Sequence, residues 1–240
     1  MLKKRFLLGS LVAATVLFTA SSCMVYHPHN VDIPLLEEQG DLHVDVSASM
    51  TAPLMAGPAL NASVAYAPIQ MLGVQAAASV TDLKNNHFQL AAGTYQVLGR
   101  PVLECYIGYA RGNAFDGATS SESSRHYDVS GYYNLFFSQI NFGYNSVLES
   151  DFDWGLGLKG GLMNPRWDKI EHLDDGSTAL AERHEDSHFL IEPQLMMRFG
   201  GEHFKISLNF AYAFLSDWPV DNNYFNYDRF SAGVGLHYKF

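Results

Sequence analysis

What this chain lacks narrows it quickly. Only two cysteines, Cys23 and Cys105, stand among its 240 residues, too few for the disulfide framework that staples small secreted domains. Beyond the first two dozen residues, no apolar run approaches the roughly 20 residues a helix needs to cross a bilayer. Charge is scarce too: 17% of residues are charged, and acids outnumber bases 25 to 15. A nucleic-acid partner, which demands a basic surface, is thereby excluded from the expected partners.

Aromatic residues and glycine are abundant, with 16 Phe, 13 Tyr, 3 Trp and 20 Gly. Their order is regular. From 204 to 214 every even position is a large apolar residue or an aromatic, and every odd one is polar or small. The last segment repeats the pattern: Phe230, Ala232, Val234, Leu236, Tyr238 and Phe240 alternate with Ser231, Gly233, Gly235, His237 and Lys239. A period of two is that of a strand with one apolar face. Lipid on one side and a crowded polar lumen on the other would select this composition. Strands that enter a bilayer must close into a barrel to satisfy their backbone hydrogen bonds.

The N-terminus reads as a targeting device over residues 1–22. Lys3, Lys4 and Arg5 form its basic end, residues 6–18 its apolar centre, and Ala20-Ser21-Ser22 a small-residue cleavage region before Cys23. A cysteine placed there looks like a bacterial lipobox, so Cys23 is the expected lipidation site, carrying acyl chains such as palmitate. Removing 1–22 takes away three bases and no acids, leaving 12 bases against 25 acids, a net charge of 12 − 25 = −13. With Cys23 acylated, no disulfide can form within the chain. Cys105 falls on an apolar strand face and reads as a small hydrophobe.

Residues 23–40 contain two prolines and no period, and read as an extended lipidated tether that crosses or enters the periplasmic mouth of the barrel. His27 and His29 lack a third ligand at a recognisable spacing, so no metal is expected. From 41 to 240 the alternation recurs in ten segments: 42–50, 60–67, 72–80, 88–97, 102–111, 126–145, 152–163, 188–199, 204–214 and 230–240. An even count returns both ends to one side. Every second connection is short, while polar intervals at 112–125, 165–187 and 215–227 are long, the expected asymmetry between periplasmic turns and outer loops. The expectation is an all-β, transmembrane, antiparallel up-and-down barrel. A soluble sandwich would carry more charge on its wet face, and a lipocalin-type barrel would be apolar inside.

The segment Tyr26, Pro28, Asn30, Pro34, Leu35, Leu36, Glu38 and Gly40, followed by barrel-like strands, resembles uncharacterised outer-membrane (lipo)proteins of Bacteroidetes-type bacteria. The strands are also similar to those of small up-and-down barrels of the OmpA/OmpX kind. The resemblance implies an outer-membrane address and carries no activity; the anchor at the periplasmic side follows from the loop asymmetry above.

Counting from strand ends predicts which inward charges meet. Lys159 should face Glu192, Asp153 should face Arg198, and Asp45 with His43 should lie near His237 and Lys239 at the seam that closes the ring. Such pairs would neutralise each other in a filled lumen, because an unpartnered buried charge is costly.

For catalysis the sequence offers one foothold. Asp186-Ser187-His188 ends an acidic loop at an outer strand end, where barrels of the omptin protease type hold a water-activating Asp/His pair. The second acidic pair of that resemblance has no counterpart, since Asp151-Phe152-Asp153 sits at a periplasmic turn. The expectation is a non-catalytic structural, adhesive or accessory component with no cofactor. Its expected partners are outer-membrane lipid, the barrel-insertion machinery and an unidentified protein. A narrow solute channel or transporter subunit is the alternative, and an omptin-like protease the third.

Overall fold

The computed structural model describes residues 24–26, 28–29, 33–52, 58–81, 85–119, 126–145, 152–173, 177–185, 187–216 and 226–240. Its strands are β1 (Met24–Tyr26), β2 (Leu42–Ala52), β3 (Pro58–Ile69), β4 (Leu72–Val80), β5 (Asn86–Val97), β6 (Pro101–Thr119) and β7 (His126–Tyr144). They continue with β8 (Phe152–His172), β9 (Thr178–Glu185), β10 (His188–Gly200), β11 (Phe204–Tyr212), β12 (Phe214–Leu215), β13 (Asn226–Tyr227) and β14 (Phe230–Lys239).

Ten of these form a closed antiparallel ring, β2-β3-β4-β5-β6-β7-β8-β10-β11-β14, in which β14 pairs back onto β2 from Phe230 opposite Ala52 to Lys239 opposite His43. Closure leaves the barrel wall no free edge. The alternation decides which face goes where. Outward positions hold Leu60, Ile107, Phe136, Leu158, Val234 and Leu236, and Ile107 is 73% exposed. Inward positions hold Glu104, Asn141, Lys159, Glu192, Gln194 and Arg198, and Glu192 is fully buried. Apolar outside and ionic inside inverts the arrangement of a water-soluble domain and fits a wall whose solvent is hydrocarbon.

The turns at 70–71, 98–100 and 201–203 lie on one rim, together with the start of β2 and the end of β14. Gly99 at φ +84° lets the middle one fold back, closed by the Leu98 amide donating to the Pro101 carbonyl at 2.8 Å. At the opposite rim the wall is uneven. β6 and β7 have 19 residues each and β8 has 21, against nine in β4 and in β11. Roughly ten residues suffice to cross a membrane, so β6–β8 project well beyond it.

Two intervals expected to be loops are therefore partly strand. Residues 112–119 pair with 126–133, and 166–172 pair with 178–185 in the β8–β9 hairpin. Above the lipid no outward position needs an apolar residue, so the period of two fades while backbone pairing continues. Two prolines sit where the ladders change partner. β8 leaves β10 at Met163 and meets β9 at Arg166, with Pro165 between; β10 leaves β12 at Ile191 and meets β11 at Gln194, with Pro193 between. A residue without an amide hydrogen is tolerated in such gaps.

The segment before β2, expected to cross or enter the mouth of the barrel, lies inside it. Tyr26, Ile33, Leu35 and Leu36 are all at most 1% exposed. Ile33 and Leu35 pack with Val102, Met196 and Ala211, and Leu36 packs with Ala65, Ala67 and Tyr95. At the short-turn rim Gly40, at φ +96°, turns the chain into β2, its amide donating to the Ala67 carbonyl at 2.8 Å. At the other end β1 pairs in parallel with β13, just above the start of β14, and the Asp228 amide donates to the Tyr26 carbonyl at 3.0 Å.

Candidate functional site: a threaded lumen

The lumen is built to hold that segment, and the wall makes room for it with glycine. A β-carbon on Gly73 would lie 2.9 Å from Leu36, one on Gly143 2.9 Å from Leu35, and one on Gly155 2.8 Å from Ile33. These separations are far inside van der Waals contact, so three apolar side chains seat in slots that only glycine leaves open. Leu35 itself adopts φ +59°, a left-handed conformation that costs a branched residue about 1–2 kcal/mol. The kink sends Leu35 toward Gly143 on β7 and Leu36 toward Gly73 on β4. Burying each leucine recovers about 1.5–3 kcal/mol.

Polar groups then fix the backbone at three heights. Nearest the short-turn rim, Arg198 donates to the carbonyls of Ile33 (2.9 Å) and Pro34 (3.2 Å), and its Nη2 also lies 3.3 Å from Asp45 Oδ2. His43 donates from Nδ1 to the same Pro34 carbonyl at 2.8 Å. Across the lumen, the Leu36 amide donates to Glu104 Oε1 at 2.9 Å, and Asn141 donates to the other carboxylate oxygen at 2.9 Å. At the far end Tyr26 donates its hydroxyl to Glu192 Oε2 at 2.6 Å. Beside it the His29 and His87 rings stack at 3.5 Å, and both make hydrogen bonds to the Tyr133 hydroxyl, at 2.9 and 2.7 Å.

The inward charges meet in part as counted from the strand ends. Lys159 is the direct cross-strand neighbour of Glu192, with Nζ 3.7 Å from Oε1, and it also donates to Gln89 at 3.2 Å. His237 stands opposite Asp45, with Nδ1 2.9 Å from Oδ2. Asp153 and Arg198 are likewise opposite each other. Asp153 takes Lys205 from β11 at 2.5 Å, while Arg198 turns to Asp45 and to the threaded segment. Lys239 stands opposite His43, as counted, and its Nζ also reaches Glu37 (3.1 Å) and Asp41 (3.5 Å). The further partners of Arg198 and Lys239 come from the segment before β2, which the strand count did not place: Ile33, Pro34, Glu37 and Asp41. Glu104 escaped sequence reasoning, although an isolated glutamate at an inward position between Leu103 and Cys105 was the available signal, and Tyr26 entered it as part of the N-terminal motif without a partner.

Elsewhere, Cys23, His27 and Asp186 lie outside the described residues. His188 is buried at the top of β10 with Nδ1 3.3 Å from the Ser216 carbonyl, and Ser187 donates to Asn164 at 2.7 Å. Among the described residues no group of three or more His, Cys, Asp or Glu side chains is placed to hold a metal. On the β8–β9 hairpin, Arg183 donates twice to Asp168, at 2.7 and 2.9 Å, and these bonds hold the Asp168 carboxyl below its usual range. Arg111 and Arg166 lie over the Tyr132 ring at 4.7 and 5.9 Å.

No protein-family model and no curated protein sequence matches this chain. Among solved structures it is similar to the outer membrane protease OmpT of Escherichia coli, with a TM-score of 0.60 and 11% identity over 84% of this chain and 94% of that one. The translocator domain of the autotransporter NalP from Neisseria meningitidis gives a TM-score of 0.43 at 13% identity, covering 85% of this chain and 90% of that one. The N-terminal barrel domain of Pseudomonas aeruginosa OprF gives 0.33 at 9%, covering 85% and 100%. Identity this low speaks to fold alone. By ring closure, strand count and the polarity of its two faces, the chain has the fold of a ten-stranded outer-membrane β-barrel.

Proposed function

We propose that this chain is a non-catalytic outer-membrane lipoprotein whose barrel is a filled scaffold, displaying the β6–β9 projection and its outer loops to a partner. The observation that carries the reading is the threaded lumen. Tyr26, Ile33, Leu35 and Leu36 occupy its length, clamped by Glu192, Arg198 and Glu104. A ten-stranded barrel is narrow, and a buried segment of its own chain fills it further, which supports a closed lumen over a conducting one. Lipidation requires transfer of a diacylglyceryl group from a phosphatidylglycerol-type phospholipid to the Cys23 thiol. A C–S bond forms, the C–O bond to the headgroup phosphate breaks, and the thiol proton leaves with the phosphoglycerol.

Reconstitution into a planar bilayer tests the filled scaffold. The expected record is flat, and a steady, reproducible conductance step overturns the reading in favour of a solute channel. Cross-linking in native outer membranes, followed by capture, tests the display role. A specific protein joined through residues of the β8–β9 hairpin supports it. Peptide cleavage by purified protein that disappears with His188→Ala replaces it with the protease reading.

A further inference from the structure

The threaded segment has a direction. Gly40 stands at the short-turn rim, beside the starts of β2 and β4. Going backward along the chain, Leu36 bonds β6 at Glu104, four residues into that strand, and His29 meets His87, the second residue of β5 at the opposite rim. Tyr26 reaches Glu192, four residues below the top of β10. Short turns mark the periplasmic side of such barrels, so the chain climbs toward the cell exterior as it is followed back from β2.

Its last described step agrees. β13 precedes Phe230 by three residues and leads down into β14, and β1 runs parallel to it, held by the Asp228 amide on the Tyr26 carbonyl. β1 is therefore also descending, and Met24 is its outermost residue.

We infer that the N-terminal end of the mature chain is displayed at the cell surface, so that acyl chains on Cys23 are seated in the outer leaflet, opposite to an anchor at the periplasmic rim. The acyl half of this inference rests on the lipoprotein reading above; the side of the membrane does not. Cys23 is one peptide, about 3.8 Å, from Met24. A ring of ten strands spaced about 4.8 Å apart and tilted about 40° has a radius of roughly 10 Å, so a diacylglyceryl group at the mouth reaches over the wall into lipid.

The test uses the full chain in intact cells with Cys105→Ala and Met24→Cys, treated with a membrane-impermeant maleimide. Ser187→Cys at the outer rim and Gln70→Cys in a short turn serve as references. Residue 24 is expected to label in intact cells to the level of residue 187, with residue 70 labelling only after the outer membrane is opened. Labelling of residue 24 that tracks residue 70 overturns the inference. The mass of the N-terminal peptide is measured in the same preparation. A diacylglyceryl adduct on Cys23 supports the acyl half, and an unmodified N-terminal peptide removes that half while the labelling still decides the side.

Discussion

The backbone amide of Leu36 donates to Oε1 of Glu104 across 2.9 Å, a bond between the threaded segment and the wall that joins residues 68 apart in sequence. Glu104→Ala removes the acceptor of this amide and of the Asn141 side chain together. Each buried donor left without a partner costs about 1–3 kcal/mol. The expected result is a clear fall in the temperature at which the folded barrel unfolds in detergent, followed as heat-induced gel retardation. Glu104→Gln keeps one acceptor oxygen and should fall less.

Gly155 faces Ile33 closely enough that a methyl group cannot be added without moving one of them. Gly155→Ala should cost about 1–3 kcal/mol, as overpacked cores do. Ile33→Ala in the same chain should restore much of it. A double-mutant cycle read by thermal unfolding checks this, and simple additivity would show that the two residues do not touch.

Arg198 is the shared cation of Asp45 and the acceptor oxygens of Ile33 and Pro34. Arg198→Met leaves the buried Asp45 carboxylate without its guanidinium partner and should destabilise by about 3–5 kcal/mol. Adding Asp45→Asn should recover part of the loss by removing the stranded charge. The Ile33 carbonyl loses its donor while the Pro34 carbonyl keeps His43, so recovery stays incomplete.

The β8–β9 hairpin stands outside the membrane and its pH response has a definite sign. The folded Asp168 carboxyl is held below its ordinary value by Arg183, so its contribution is fully present above the ordinary carboxylate value of 3.8. It is lost as pH falls through the lower folded value. Amide exchange at 178–185 should therefore be insensitive to protonation of Asp168 between about pH 7 and pH 5, after correction for intrinsic rates, and rise below about pH 4. Arg183→Gln should remove the acid sensitivity.

How much of this was legible depends on what repeats. Ring residues such as Val234, Leu236 and Tyr238 declare themselves because lipid demands an apolar side chain at every second position, and Lys159 opposite Glu192 follows by counting. The threaded segment has no such rule. Ile33, Leu35 and Leu36 meet different walls, so their order carries no period, and the slots that receive them are glycines scattered over β4, β7 and β8. Arg198 could be placed on its strand from sequence, but its partners could not, because two of them are carbonyls that any residue would supply. The projection of β6–β8 was hidden for the opposite reason: water accepts almost any side chain there.

The seam between β14 and β2 joins the two ends of the sheet, with His237 and Asp45 separated by 192 positions. Contacts of such separation carry the largest loop-closure cost and form late. The interior is filled by a stretch that continues directly into β2, and a finished ring with its slots already occupied offers no route for drawing that stretch in afterwards. Folding thus has an obligatory order: the leading stretch is laid against the curling sheet first, and the ring shuts around it. A bulky group carried at its outer end would turn that order into a lock, with chain and ring held together as an axle in a wheel.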